Sequence, residues 1–422
     1  MSVADVIIIG AGPGGLSLAR LLSERGRRHS IVLEAAETIG GKSSTARAGD
    51  TLAELGTCYA TRAHRVTNRW MREFRIETGR LGETRFGGGE FMDYVKAGHG
   101  PSLTAQLLTY FRGRARINKA LAATSPKQAA LDEAATDVAM WLGERKLGKV
   151  ERFMRRSLTA LGYGFLDETS MAQAVRWVDF DLILSGALGQ LTMPKCGWSQ
   201  FWEQVAEGLD VRTGVRVERI ERSDTKSIVH LSDGQALETR HLVCAMPLDD
   251  FLRLTDATER EQRIDGGVDW DRYFTTLFAA RDWFQTHDVE GWHEPLEPGA
   301  ARGQLLSARL EGEEDALGGH LYVGGQLPGD YTRPELAEIL RADVAKYGGQ
   351  VTNIVQQAEW KFFPRYKPNA IRNGLVQDMH AVQGEKQTWF TGSTFSFEAV
   401  SNITNFNVGL ASQIDKALGS IE

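Results

Sequence analysis

The N-terminal V-A-D-V-I-I-I-G, from Val3, is a block of aliphatic residues suited to a strand buried on both faces. Leu18, Leu21 and Leu22 follow at helical spacing, so the chain opens as strand, turn and helix. A second apolar run, I-V-L, ends at Glu34. Between about 100 and 200 the period changes. Leu147, Val150, Met154 and Leu158 recur at helical spacing, and Val138, Trp141 and Leu142 form another stripe. Residues 211–247 alternate apolar and polar positions around Asp233-Gly234, a hairpin signal, before a buried strand that ends at Pro247. From 255 to 360, short apolar strands alternate with Gly/Pro-rich loops such as H-E-P-L-E-P-G-A-A-R-G.

The first turn carries chemistry. Gly10, Gly12 and Gly15 form G-x-G-x-x-G between strand and helix, with Pro13 and Gly14 inside it. In that context Gly10 permits the turn, Gly12 lets backbone approach a pyrophosphate, and Gly15 lets helix and strand pack closely. The helix N-terminus offers free N–H groups and partial positive charge to phosphates. Glu34, with Ala35 beside it, stands about 20 residues on, the position of a carboxylate that accepts from ribose hydroxyls. That acid argues against NADP and leaves NAD and FAD open. Gly41-Lys42-Ser43 resembles the end of a P-loop, but position 36 is Ala where that motif needs glycine.

Composition narrows the classes. The 422 residues are 42% hydrophobic and 25% charged with net charge −6, an ordinary globular balance that suggests two or three domains. No basic run supports nucleic-acid binding. The N-terminus lacks a basic n-region, and no apolar stretch is long enough to span a bilayer. Cys58, Cys196 and Cys244 are scattered and odd in number, pointing to a reduced, cytoplasmic setting. No H-E-x-x-H, C-x-x-C or G-x-S-x-G occurs, so neither a metal site nor a serine hydrolase is expected.

Glu34, Gly40-Gly41-Lys42 and L-A-E-L-G-T-C-Y (52–59) together resemble the flavin-containing amine oxidase superfamily, which carries a G-G-R turn after the ribose-binding acid and a D/E-x-G stretch lining the flavin. The resemblance implies non-covalent FAD, touched by Gly41, Lys42, Gly56 and Thr57 beyond the first loop. Lys42 replaces the usual arginine, a point charge in place of a fork. Val217 would meet the adenine side. Residues 387–418 resemble the family's last strand, glycine and helix, with Gly392 and Ser393 beside the cofactor and the helix N-terminus, near Asn402 and Ile403, aimed at the flavin pyrimidine oxygen. Gly392-Ser393 stands where Gly-Glu is common, which removes a carboxylate. That segment has no cysteine for covalent attachment.

Four islands are similar to bacterial flavin-dependent polyunsaturated fatty acid double-bond isomerases: the N-terminal motifs, 161–180, 242–252, and E-W-K-F-F-P-R-Y with the final segment. The carboxylate-holding arginine of that branch corresponds to Arg80 or Arg85, and its two flanking aromatics fall on Leu161 and Gly186. Tyr163, Trp360 and Phe395 are the candidate substrate contacts, with Phe165, Phe363 and Phe397 near them and Cys58 close to the flavin face. The implied fold is α/β, a Rossmann-type FAD-binding domain with an inserted sheet-containing substrate domain and a helical lid. Its expected parts are 1–98, 205–254 and 359–422 for FAD binding, 99–204 for the lid and 255–358 for the substrate domain. A helix lying on a membrane is the alternative for the basic amphipathic stretch. The expected activity is hydride abstraction from a small lipophilic substrate, with net oxidation and oxygen as reoxidant. The alternatives are double-bond isomerisation, flavin binding without turnover, and an NAD-dependent dehydrogenase.

Overall fold

In the computed structural model of the protein, residues 4–26 and 29–419 are described. Val3, the first residue of the expected strand, lies outside them. Strand Ala4–Ile9 pairs in parallel with Ser30–Leu33 on one side and Ala236–Cys244 on the other. The sheet continues through Asp210–Arg212 beyond Ser30–Leu33, and through the hairpin strands Ser227–Leu231 and Val217–Arg222 beyond Ala236–Cys244. Thr388–Phe390 pairs with the end of Ala236–Cys244.

Both faces of this sheet are covered, which is why its first strand reads as an unbroken aliphatic run. Val6, Ile8, Val32 and Val243 face helices Pro13–Glu24, Trp198–Ala206 and Val400–Gly419. Ile7, Ile9, Ile31, Leu33, Leu242 and Cys244 point into the larger core on the other side. Each such buried aliphatic side chain stabilises the fold by about 1.5–3 kcal/mol. Gly15 is required where helix meets strand, because a Cβ there would strike the Gly10 carbonyl oxygen.

The second sheet runs in the order Gln350–Tyr366, Val268–Arg281, Gly319–Gln326, Leu305–Glu314, Val289–Gly291, Thr84–Phe86 and Gly89–Glu90. It takes in more than the expected 255–358. Two short strands come from the segment assigned to 1–98, and the last strand reaches Tyr366 because it passes through a bulge and keeps pairing with Val268–Trp270. The hairpin Thr45–Ala48/Thr51–Glu54 packs Ala46, Ala48 and Ala53 on this sheet as well. Conversely, Trp198–Ala206, placed in the lid by sequence, packs against the first sheet's helix Pro13–Glu24.

Residues 103–187 are helical, and both stripes read from the sequence face inward: Leu147, Val150, Met154, Leu158, Val138, Trp141 and Leu142 are all buried. This helical block is fastened to the second sheet. Gln173 bridges to the backbone of Pro364 and Tyr366 at 2.6 and 3.0 Å. Glu168 pairs with Arg302 and Arg365, each at 2.8 Å. Among the described residues no helix is long and apolar enough to cross a membrane.

Candidate active site

One continuous cavity runs between the layers, with about 1940 Å³ of space, part of it open to solvent. At one end its wall is glycine. Gly12, which precedes helix Pro13–Glu24, has no side-chain cap, and proline at the first position leaves the N–H groups of the following turn to face the cavity edge. Gly12 faces Gly41, and Gly14 faces Gly392. Nothing lies within 4 Å of where a side chain on Gly392 would begin. Helix Val400–Gly419 also starts here, and Val400 and Ile403 line the wall.

Side chains hold this backbone cradle. Glu34 accepts from the N–H groups of Ala11 and Ala36, both at 2.8 Å, and so ties the second strand end to the first loop. Asn407, fully buried on the last helix, donates to the Gly14 carbonyl at 2.7 Å and to Ser17 Oγ at 2.8 Å. The Gly40–Lys42 turn is pinned by the Gly40 N–H on the Ala11 carbonyl, 2.9 Å. Lys42 Nζ meets Glu398 Oε1 at 2.7 Å, and Glu398 Oε2 accepts the Phe363 N–H at 3.0 Å. Phe363 is the bulge residue of the long strand, with φ +54°, a conformation a phenylalanine adopts only when its surroundings enforce it. Glu398 thus places a carboxylate against the Gly40–Lys42 turn.

The other end is aromatic and apolar. Tyr163 stacks on Phe362 with ring centres 5.4 Å apart, and Tyr273 packs on the same phenylalanine at 5.3 Å. Trp177, Trp360, Phe86, Leu81, Leu161 and Val289 complete the lining around them. Trp360 Nε1 donates to Thr275 Oγ1 at 2.9 Å, which in turn donates to the Leu55 carbonyl at 2.7 Å.

The charged groups of this half are unevenly satisfied. Arg309 is buried, donating to the Glu54 carbonyl at 2.7 Å and to Glu311 at 2.6 Å. Burial opposes its charge, but the Glu311 carboxylate outweighs that and keeps the guanidinium protonated. Burial pushes the Glu54 carboxyl up to about 7, against the Trp198 N–H and Thr45 hydroxyl that hydrogen-bond to it. His64 is pushed down to about 3 by burial and stays neutral, its Nδ1 accepting the Thr61 N–H at 2.9 Å. Burial raises the Tyr59 hydroxyl to about 12, the nearby Arg156 opposing it, and raises Tyr163 well above its ordinary value.

The sequence profile of the family described as flavin containing amine oxidoreductase matches residues 13–370. The chain belongs to this family. Among curated proteins the matches are local. Protein anon-37Cs of Drosophila melanogaster is 45% identical over 52 residues, 12% of this chain and 10% of that protein. The L-amino acid oxidase Cdc18 of Crotalus durissus cumanensis is 39% identical over 72 residues, 17% and 14% of the two chains. The matched segments thus span about a tenth to a seventh of those relatives. Solved structures agree over the whole length. A CLA-producing fatty acid isomerase from P. acnes superposes with TM-score 0.82 at 20% identity, over 97% of this chain and 98% of that one. A putrescine oxidase triple mutant gives 0.75 at 16%, covering 98% and 99%. Cyclohexylamine oxidase from Brevibacterium oxydans IH-35A gives 0.70 at 17%, covering 99% and 100%. These likenesses show the fold.

In this flavin containing amine oxidoreductase, Gly10, Gly12, Pro13, Gly14, Glu34, Gly41, Lys42, Gly56, Thr57, Gly392, Ser393 and Ile403 all border the cavity. Gly15 lies behind the loop in the helix–strand contact, and Ala35 is exposed at the strand end. Val217 is buried on the outer hairpin strand, and Asn402 spends its amide on the Arg176 carbonyl at 2.9 Å. Of the expected substrate contacts, Tyr163 and Trp360 reach the cavity, as do Cys58 and Leu161. Phe395 stacks on Phe390 at 5.2 Å in the core. Phe363 and Phe397 pack beside Tyr163, behind the lining, and Phe165 joins a separate cluster with Phe86 and Tyr94. Gly186 is on a helix against Phe153.

The two expected arginines stand elsewhere. Arg80 is exposed on the short strand Thr78–Arg80, and Arg85 pairs with Glu83 at 2.8 Å because its side chain falls on the opposite face of the strand from Phe86. The arginines that line the cavity are Arg156 and Arg309. Arg309 could have been suspected from its alternation with Ser307 on one strand face. Arg156, Glu398 and Asn407 carry no local signal.

Proposed function

We propose that this chain is an FAD-dependent oxidoreductase that abstracts a hydride from an activated C–H bond, allylic or alpha to an amine, of a small lipophilic substrate. The observation that carries the reading is the single cavity joining a glycine cradle at two helix N-termini to an aromatic chamber. A cradle with open space at Gly392 and with glycine facing glycine fits a dinucleotide, since any side chain there would occupy its place. When bound, FAD would supply the hydride acceptor, N5 of its ring.

The chain's own groups then have distinct tasks. The turn after Gly12 would hold the pyrophosphate through N–H groups and the helix dipole. Glu34, already oriented by two backbone donors, keeps lone pairs for ribose hydroxyls. Lys42, neutralised by Glu398, locks the second turn against the long strand and leaves phosphate charge to the helix. The start of Val400–Gly419 would place a partial positive charge beside the flavin pyrimidine. Tyr163, Phe362 and Tyr273 orient a flat or extended substrate and exclude water. The three cysteines are free, which supports a reduced, cytoplasmic setting.

Isomerisation without net oxidation is the second reading, and one observation favours it. Among the described residues, Lys42 is the single lysine lining the cavity, and Glu398 holds it. Glu54 is committed to Trp198 and Thr45, and Tyr59 and Tyr163 are too weakly acidic to accept a proton at neutral pH. Desaturation of a carbon chain must dispose of a proton as well as a hydride, whereas returning the hydride to another carbon needs no base. The test uses the purified protein with polyunsaturated fatty acids and lipophilic amines, following oxygen uptake and conjugated-diene absorbance together. Oxygen loss with peroxide supports net oxidation, and diene growth without oxygen loss supports isomerisation. A protein that neither carries flavin nor binds added FAD overturns both.

A further inference from the structure

A second pocket, with about 900 Å³ of space partly open to solvent, shares a chain segment with the active-site cavity. Tyr59 and His64 border that cavity, whereas Thr61 between them lines the second pocket. Ala60 bonds to Thr192 in both directions, at 2.6 and 3.0 Å, and ties the segment to the pocket's far strand. Arg62, Arg72 and Arg75 all line this pocket. Helix Arg65–Glu73 buries Val66, Thr67, Trp70 and Met71, which leaves Arg72 turned outward. Arg75 follows the helix end with φ +56°, the left-handed position that glycine usually fills. A long charged side chain is kept there despite the backbone strain. Among the described residues, none of these three guanidiniums forms an ion pair or lies over an aromatic ring. The acids around them are taken by other cations: Glu73 by Arg69 at 3.7 Å, Asp181 by Arg65 at 3.7 Å, and Glu77 by Lys195. Thr78, Gln190 and Thr192 add hydroxyl and amide donors to the same pocket. Positive charge is thus gathered at one place in a chain whose net charge is −6. Like charges so gathered repel one another, and an anion between them removes that repulsion.

We propose that this pocket binds the phosphate group of a ligand, held by Arg62, Arg72 and Arg75 while Thr78, Gln190 and Thr192 donate to its remaining oxygens. A carboxylate offers two oxygens and a single charge, which one guanidinium fork satisfies. A phosphate ester brings three terminal oxygens and up to two charges, and a diphosphate brings more of both. Three forks flanked by hydroxyl and amide donors match that larger count. The site is separate from the glycine cradle, where the pyrophosphate of FAD would lie. Thr61 donates its N–H to His64 Nδ1 at 2.9 Å, so an occupied pocket steadies the segment that carries Tyr59 and His64 along the active-site cavity. A soluble phosphate ester and a lipid phosphate headgroup share this chemistry, and the experiment separates them.

Calorimetric titration of the full chain compares inorganic pyrophosphate with malonate at about 0.15 M ionic strength, with excess FAD present to fill the glycine cradle. Pyrophosphate is expected to bind at least about ten times more tightly than malonate. Arg75→Gly should weaken pyrophosphate by about tenfold, the low end for a charged hydrogen bond. Its melting temperature should stay the same or rise, because glycine suits a left-handed helix end. Arg72→Gln should weaken pyrophosphate by a similar factor. Co-sedimentation with phosphatidylcholine vesicles, with and without phosphatidic acid, supplies the second arm. Retention that needs phosphatidic acid and is lost in Arg75→Gly assigns the phosphate to a lipid headgroup. Pyrophosphate binding without retention assigns it to a soluble ligand, and either result supports the site. Pyrophosphate bound no more tightly than malonate, together with no retention on phosphatidic acid, would overturn the proposal. So would binding that neither Arg75→Gly nor Arg72→Gln changes, since the anion would then lie elsewhere.

Discussion

At the glycine-lined end of the cavity, the groups on offer are backbone N–H donors and bare Cα positions, set by the glycine turns at 10–15, 40–42 and 392. At the aromatic end they are side chains, delivered by a helix near 156, a turn near 163 and strands near 273, 309 and 362. At the first end Gly10, Gly15 and Gly56 have no room for a side chain. The second is a set of separable contacts, each of which can be exchanged without undoing the frame. A fixed cofactor and a variable substrate ask for that division: one binding surface made of main chain, the other of residues free to change.

The sharpest way to break this contrast is Gly15→Val. Its side chain would be driven into the Gly10 carbonyl at the helix–strand contact, and the expected cost is about 4 kcal/mol or more, read from the denaturant midpoint. A variant of near-native stability would show that the loop is more pliable than its packing implies.

Next in size is Glu54, which sits where the two ends meet. Its folded-state pKa of about 7 exceeds the ordinary 4.5, so the folded protein holds a proton there that the unfolded chain releases. Stability from this group is fully present below pH 4.5 and is lost as pH rises through 7, by about 3 kcal/mol. Glu54→Gln removes the titration. Relative to the unaltered protein, it should gain about that much between pH 4.5 and 8, measured as the difference of two denaturation series. Parallel series would mean that Glu54 titrates as an ordinary exposed acid.

Glu34→Ala gives up two charge-assisted backbone bonds and any ribose contact. Flavin should be lost during purification, with affinity down by about 30-fold, or about 2 kcal/mol. Full flavin occupancy would remove Glu34 from the cofactor. The smallest effect is expected at the arginines favoured by sequence position. Arg80→Ala and Arg85→Ala should each change stability by less than about 0.5 kcal/mol. A larger loss at either would reveal a contact that its exposed position does not show.

The glycine-lined end was legible because its physics is local. Gly10, Gly12 and Gly15 between an aliphatic run and a helix, with Glu34 ending the next strand, permit few other arrangements, and the fold class followed from them. The helical stripes at 138–142 and 147–158 were legible for the same reason: burial of one face imposes a period on the residues themselves. Tertiary structure alone decided the rest. Nothing near Lys42 announces Glu398, 356 residues later, and nothing near Gly14 announces Asn407 on the last helix. The strand that carries Trp360 runs on to Tyr366 because its partner continues, a fact held by Val268–Trp270 and not by its own residues. Arg80 and Arg85 have the same chemistry as Arg156, and sequence offers no way to rank them. Which guanidinium enters the chamber depends on how a helix, two sheets and the last segment pack together, and that is a property of contacts between distant residues.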